Sequence, residues 1–168
     1  MGFMGCGKSS VGRLLSQRLQ FELADTDQLI EQRTGKAVSQ LFDELGEPAF
    51  RKLESEVVAE LASRSRIIIS TGGGLVTNPD NFASLQSHSL IVCLWATAET
   101  ILERTSHNSK RPLLRGPDPL GTIKRLLTER EPHYKRADII ANTEQRTMKE
   151  VAQYIYHQFV QYTGCGGN

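Results

Sequence analysis

Cysteine is scarce. Cys6, Cys93 and Cys165 are the only three in 168 residues, with no CxxC pair and no metal-ligand spacing to the four histidines. That excludes a disulfide framework and a zinc site and points to a reducing, cytoplasmic setting. No basic region followed by a long apolar stretch opens the chain, so no secretory signal is expected. Apolar runs such as Ile67 to Ile69 and Leu90 to Leu94 fall far short of the roughly 20 residues of a membrane helix, and no bilayer span is expected. An excess of either charge is also missing: 20 basic residues face 19 acidic ones, net +1 with pI ≈ 7.8, which argues against a nucleic-acid partner. Internal repeats are absent, and the only low-complexity piece lies in a tail, 161–168, expected to fray.

What remains is an ordinary globular composition, 39% hydrophobic and 23% charged, of a length suited to one domain spanning 1–160. The near-neutral total hides a polarity. Glu22 to Glu60 holds ten acidic residues against four basic, whereas Arg104 to Arg136 holds nine basic against three acidic. A solvated surface can produce this, and so can a basic segment that handles phosphate.

Apolar spacing outlines the skeleton. Val11, Leu14, Leu15 and Leu19 form one helical face, and Phe50, Leu53, Val57 and Leu61 another. Phe21 to Ala24, Ile67 to Ile69, Leu90 to Leu94 and Ile139 to Ala141 are too short for helices and read as buried parallel strands. Thr97 caps a helix running towards Arg104, and Leu120, Ile123 and Leu127 mark a helix expected to end near Pro132. Thr147 with Glu150 is a capping box opening a last helix whose face is Val151, Ile155 and Phe159. Strands alternating with helices predict an α/β three-layer sandwich around a mostly parallel sheet of about five strands. Between Thr105 and Pro119 lie three prolines and no helical period, a stretch longer than ordinary connections. Its Lys110, Arg111 and Arg115 favour a lid.

The strongest motif is Gly2-Phe3-Met4-Gly5-Cys6-Gly7-Lys8-Ser9, which matches G-x-x-x-x-G-K-[ST] just ahead of the Val11 helix. Gly5, Cys6, Gly7, Ser9 and Ser10 thereby line a phosphate cradle of backbone N–H groups at a helix N-terminus. Lys8 can reach the β- and γ-phosphates of ATP, and Ser9 can ligate Mg²⁺. Cys6, at a variable position of the loop, reads as a small filler rather than a nucleophile. A P-loop normally follows a central buried strand of five or six apolar residues, and here only Met1 precedes Gly2. The sheet is therefore expected to lack that strand, and the chain reads as shortened at its amino end.

The acceptor must come from elsewhere. Asp25-Thr26-Asp27 closes a strand, where ligands bind in open α/β sheets, and its two carboxylates can serve a metal and a hydroxyl. The alternative for Asp27 is a helix N-cap ahead of Leu29 to Arg33. Arg51 and Glu54 are three apart on a helix and can pair, as an ordinary surface ion pair also would. Gly72-Gly73-Gly74 after a buried strand lets a partner approach the backbone, though a flexible turn reads the same way. Arg130 sits near the end of the Leu120 helix, where a solvated arginine is the plain alternative.

Taken together, Gly2 to Ser9, Asp25-Thr26-Asp27, Phe50-Arg51 with Glu54, Gly72-Gly73-Gly74, Arg111-Pro112-Leu113-Leu114, and Arg130 ahead of Tyr134 resemble the shikimate kinase family over residues 1 to about 160. The resemblance implies a nucleoside-monophosphate-kinase-like fold of the P-loop type with a lid, and transfer of the ATP γ-phosphoryl group to the 3-hydroxyl of shikimate. By that resemblance Asp27 binds the acceptor hydroxyls and is the candidate base, while Asp25 and Ser9 hold Mg²⁺. Arg51 and Arg130 grip the shikimate carboxylate, Glu54 holds Arg51, and Gly72 to Gly74 present N–H groups to the substrate. Arg111 contacts the transferring phosphate, Arg104 stacks on adenine, and Arg146 lies near a second adenine-contacting loop. The partners implied are ATP, ADP and shikimate, acting on a cytoplasmic monomer. Another small P-loop kinase, such as a gluconate kinase, and a non-catalytic nucleotide-binding protein are the rival readings.

Overall fold

The computed structural model describes residues 1–106 and 116–164. Four short strands carry the fold. β1 (Glu22–Asp25) and β2 (Ile67–Ser70) pair in parallel, with Glu22 opposite Ile67 and Asp25 opposite Ser70. β3 (Val92–Trp95) and β4 (Ile139–Asn142) pair the same way, with Val92 opposite Ile139 and Trp95 opposite Asn142. All four lie within a residue or two of the apolar runs that announce them, and parallel pairing follows from the helical connections between them.

Helix α1 (Lys8–Leu19) starts directly at the P-loop and buries Val11 and Leu15. α2 (Thr26–Thr34) follows β1 without a linker. Its N-cap is Asp25, not Asp27: Asp25 Oδ1 accepts from the Asp27 and Gln28 N–H groups at 3.2 and 3.4 Å. α3 (Val38–Leu61) contains two helices end to end, broken at Gly46, whose φ of 76° only glycine adopts cheaply. Pro48 fits just after the break because the first turn of a helix needs no N–H there. The sequence pattern shows only the second half of α3, through Phe50 to Leu61, and it misses α4 (Pro79–Gln86), which Asn78 caps by accepting from Asp80 and Asn81. α5 (Ala98–Thr105) is capped by Thr97 as expected.

Two expectations are corrected by the helices that follow. α6 (Pro119–Tyr134) runs through Pro132 instead of ending there, because Tyr134 is buried at 1% exposure and packing outweighs the lost N–H. α7 (Met148–Thr163) opens at the Thr147–Glu150 capping box and continues to a left-handed Gly164, so 161–163 are helical rather than frayed. Thr105 and Pro119 are themselves helical and Ser106 closes α5, while residues 107–115 of the expected lid lie outside the described residues. α1 packs on α7, α2 on α3 and α5 on α6. A small core of Ala24, Ile30, Leu41, Phe50, Val57 and Leu61 serves α2 and α3, and a larger one extends from Phe3 to Ile155. Among the described residues no helix is long and apolar enough to cross a membrane.

The two strand pairs do not meet. A cavity of about 540 Å³ separates β2 from β3, lined by Val11, Leu15, Ile68, Val92, Leu94 and Ile155 among others. The chain start reaches the cavity: Met1 donates its amino group to the Val92 carbonyl at 2.6 Å, its own carbonyl accepts from Leu94 N–H at 2.9 Å, and Gly2 bridges Leu94 in parallel. Burial pushes the pKa of that amino group down to about 6. Five β-branched apolar residues placed ahead of Met1 should extend this bridge into a strand between β2 and β3. Recovering even about 3 kcal/mol of apolar burial is expected to raise the melting temperature by roughly 6–12 °C. Calorimetry on the two chains checks it, and equal melting temperatures would show that the cavity does not take a strand.

Candidate active site

The P-loop takes its shape from the backbone. Gly5 and Gly7 hold φ of 79° and 87°, and a side chain at Gly7 would strike the Met148 sulfur, so α7 closes tightly against the loop. Lys8 donates from Nζ to the Phe3 carbonyl at 2.9 Å, which lays its ammonium across the loop. Cys6 is 1% exposed with its thiol pushed up by burial, as befits a packing residue rather than a nucleophile. Ser9 donates to Asp25 Oδ2 at 3.0 Å, and Ser70 donates to the same oxygen at 3.0 Å. Asp25 therefore ties the P-loop helix to the C-terminal ends of β1 and β2 while capping α2.

Arg104 and Arg146 part company. Arg104 donates to the Thr143 hydroxyl and carbonyl at 2.9 and 2.7 Å and more weakly to the Gly5 carbonyl at 3.4 Å, joining the P-loop to the segment after β4. Arg146 lies over the Tyr154 ring on α7, 5.8 Å from its centre, and Met148 is the residue of that segment that rests on Gly7. Ser10 is exposed on the first turn of α1. Arg111 lies outside the described residues.

The acceptor side is organised by the three glycines after β2. A Cβ on Gly72 would lie 2.7 Å from Asp27 Oδ1 and 3.0 Å from Glu54 Oε1. One on Gly73 would lie 3.3 Å from Arg130 Nη1, 3.6 Å from the Tyr134 hydroxyl and 3.3 Å from the Gly2 carbonyl. One on Gly74 would lie 2.6 and 2.7 Å from the Arg51 guanidinium nitrogens. None of the three has a positive φ, so the requirement is for space and not for backbone freedom. Two carboxylates and two guanidinium groups thus converge on three consecutive residues, and the middle one touches the P-loop backbone.

Glu54 and Arg51 are not a surface pair. Glu54 is 1% exposed and accepts from Arg51 Nη1 at 2.7 Å through Oε2. Burial pushes the Glu54 carboxyl up, the Arg51 guanidinium pulls it back, and the Asp27 charge raises it again, leaving it above the ordinary range. Its Oε1 has no hydrogen-bond partner. Glu47 also accepts from Arg51, at 3.1 and 2.6 Å from Nε and Nη2, so the fork is clamped from two sides.

Thr26, Glu47, Ser70 and Tyr134 belong to the site without having been assigned a role from the sequence. Thr26 is fully buried, and its hydroxyl accepts the Gly72 N–H at 3.0 Å, so that N–H faces the protein and not a ligand. Tyr134 donates to the Gly73 carbonyl at 2.8 Å. The one clue was position: Thr26 sits inside Asp-Thr-Asp, and Tyr134 stands one helical turn from Arg130.

The sequence model of the shikimate kinase family matches residues 4–160. The chain is 40% identical over 159 residues to a shikimate kinase of Thermodesulfovibrio yellowstonii, covering 95% of this chain and 92% of that one. It is 43% identical over 156 residues to a shikimate kinase of Hahella chejuensis, covering 92% and 81%. Among solved structures it is similar to the shikimate kinase of Acinetobacter baumannii in complex with shikimate, with a TM-score of 0.92 at 35% identity, covering 96% of this chain and 90% of that one.

The glycine contacts make a separable prediction. In Gly74→Ala the new methyl meets the Arg51 guanidinium, and its displacement leaves the buried Glu54 without its partner, so the melting temperature is expected to fall by roughly 6–20 °C, about 3–5 kcal/mol. A crystal structure of the variant should show the Arg51 guanidinium displaced from Glu54. A guanidinium still bonded to Glu54 would refute the close-approach argument.

Proposed function

The chain belongs to the shikimate kinase family, and on that premise we propose how its residues divide the reaction. The activity is ATP-dependent transfer of the γ-phosphoryl group to the 3-hydroxyl of shikimate, yielding shikimate 3-phosphate and ADP on the route to chorismate and the aromatic amino acids. The observation that carries the residue assignment is the gathering of Asp27, Arg51 and Arg130 around Gly72 to Gly74. A small molecule with hydroxyls at one end and a carboxylate at the other matches a carboxylate beside two guanidinium forks.

In this reading Arg51 and Arg130 bind the shikimate carboxylate, and Glu54, clamped to Arg51, aims its fork. Asp27 accepts a hydrogen bond from the attacking hydroxyl and takes its proton as the new O–P bond forms. Gly73 and Gly74 contribute to the acceptor pocket by leaving room, and Gly72 by bonding to Thr26. The backbone N–H groups from Gly5 to Ser10 and the Lys8 ammonium hold the phosphates, with Arg111 supplying charge from the segment expected to be a lid. Arg104, tied to Gly5 and Thr143, offers its guanidinium plane to the adenine, with Arg146 further out.

Mg²⁺ fits beside the nucleotide. No group of three His, Cys, Asp or Glu able to hold a metal occurs among the described residues, so the protein's offer is the pair Ser9 Oγ and Asp25 Oδ2. Few, hard oxygen donors suit an ion that keeps waters and takes its other ligands from phosphates. When bound, Mg²⁺ supplies neutralisation of charge on the β- and γ-phosphate oxygens. The reading extends to a cytoplasmic monomer with one domain over 1–160. It is supported by free, buried Cys6 and Cys93 and by exposed large apolar side chains confined to Leu45, Ile140, Tyr154 and Tyr162 among the described residues.

Three variants test the assignment in a coupled assay of ADP release. Asp27→Asn is expected to lower kcat by roughly 10²–10⁴-fold while the affinity for ATP is kept. Arg51→Ala is expected to raise KM for shikimate by about 10–100-fold, the loss of a charge-assisted pair, with KM for ATP unchanged. Arg111→Ala should act chiefly on kcat, since its charge matters most while the phosphoryl group is in transit. A near wild-type kcat in Asp27→Asn would remove Asp27 from the chemistry.

A further inference from the structure

We propose that Tyr134 is a positioning residue for shikimate, locking the Arg130 guanidinium and the Gly73 carbonyl into one unit before the substrate arrives. Tyr134 is among the largest fully buried side chains, at 1% exposure, yet its hydroxyl reaches the edge of the acceptor pocket. There it donates to the Gly73 carbonyl at 2.8 Å and stands beside the guanidinium of Arg130, its neighbour one turn earlier on α6. The space over Gly73 is bounded by the same two groups, Arg130 Nη1 at 3.3 Å and the Tyr134 hydroxyl at 3.6 Å from where a Cβ would stand. Phe3 of the P-loop closes the other side, its ring centre 5.4 Å from the Arg130 guanidinium carbon.

A free arginine side chain has rotamer entropy to lose, and a ligand that must order it binds more weakly by that cost. A hydroxyl that stands beside the guanidinium and donates to a rigid loop removes the cost in advance. The hydroxyl is suited to this because burial pushes the phenol pKa well up, so it stays a donor across the working pH range. Phenylalanine would fill the same space and leave the Gly73 carbonyl short of a partner. The inference rests on the reading that Arg130 binds the shikimate carboxylate, and the test separates the two.

Steady-state constants are measured for Tyr134→Phe, Arg130→Ala and the double variant. Tyr134→Phe is expected to raise KM for shikimate about five- to tenfold, with kcat within twofold and KM for ATP unchanged. In the Arg130→Ala background the same change should add less than twofold, because the group it positions is gone. A purely structural role would instead lower the melting temperature and affect both substrates equally in both backgrounds. If Arg130→Ala leaves KM for shikimate unchanged, the reading of Arg130 fails. If Arg130→Ala raises it but Tyr134→Phe has no effect, or the same effect in both backgrounds, the positioning role is overturned. Should Tyr134→Phe not fold, ¹⁵N spectra of the wild-type enzyme without shikimate decide. Separate Nη resonances of Arg130, assigned by their loss in Arg130→Lys, are expected, and averaged ones would refute a held guanidinium.

Discussion

Three consecutive residues without side chains hold this site together. Two carboxylates and two arginines lie so close to Gly72, Gly73 and Gly74 that a methyl on any of them would occupy the place of a functional atom or crowd it. Bringing like charges such as Asp27 and Glu54 near one another is unfavourable by itself, and the arginines offset it. The backbone between them is the only neutral, thin material that allows all four to approach. The loop's own polar groups are used in turn: the Gly72 N–H by Thr26 and the Gly73 carbonyl by Tyr134. The loop is therefore held from β1 on one side and α6 on the other.

The phosphate side obeys a similar economy. Asp25 caps α2, accepts from Ser9 of α1 and accepts from Ser70 of β2, so one carboxylate registers three elements at the strand ends. Gly73 sits against the Gly2 carbonyl, which fixes the glycine cluster after β2 against the start of the P-loop. For phosphoryl transfer, where positioning and charge neutralisation do most of the catalysis, such shared anchors matter more than any single group. On the β3 side the chain is held by the bridge of Gly2 to Leu94 and by Arg104 at the Gly5 carbonyl.

Several parts of this were legible beforehand because their signals are local. A P-loop is a contiguous pattern of glycines, lysine and serine, each with its own chemical reason, so it can be read without knowing the fold. Strands such as Ile67–Ser70, whose three isoleucines are half-buried rather than buried as expected, and the Thr147 capping box announce themselves through apolar runs and side-chain chemistry within four residues. Where packing competes with local preference the reading slipped: Pro132 does not stop α6, because Tyr134 beyond it is buried, and the first half of α3 was missed because its apolar spacing is interrupted.

By itself, then, the sequence determined the glycine-lysine-serine loop, the parallel α/β order and the residues that resemble a shikimate site. Tertiary structure alone decided which of those residues meet. Asp27 and Gly72 are far apart in the chain, and so are Gly73 and Arg130; nothing in their spacing says that they touch. It also decided that Glu54 is buried with one unpartnered oxygen and that Asp25, not Asp27, caps α2. It turned Arg146 onto Tyr154 while Arg104 bridges Gly5 and Thr143. The reason is physical: burial and charge pairing depend on which surfaces are brought face to face, and that is set by the packing of strands and helices distant in sequence.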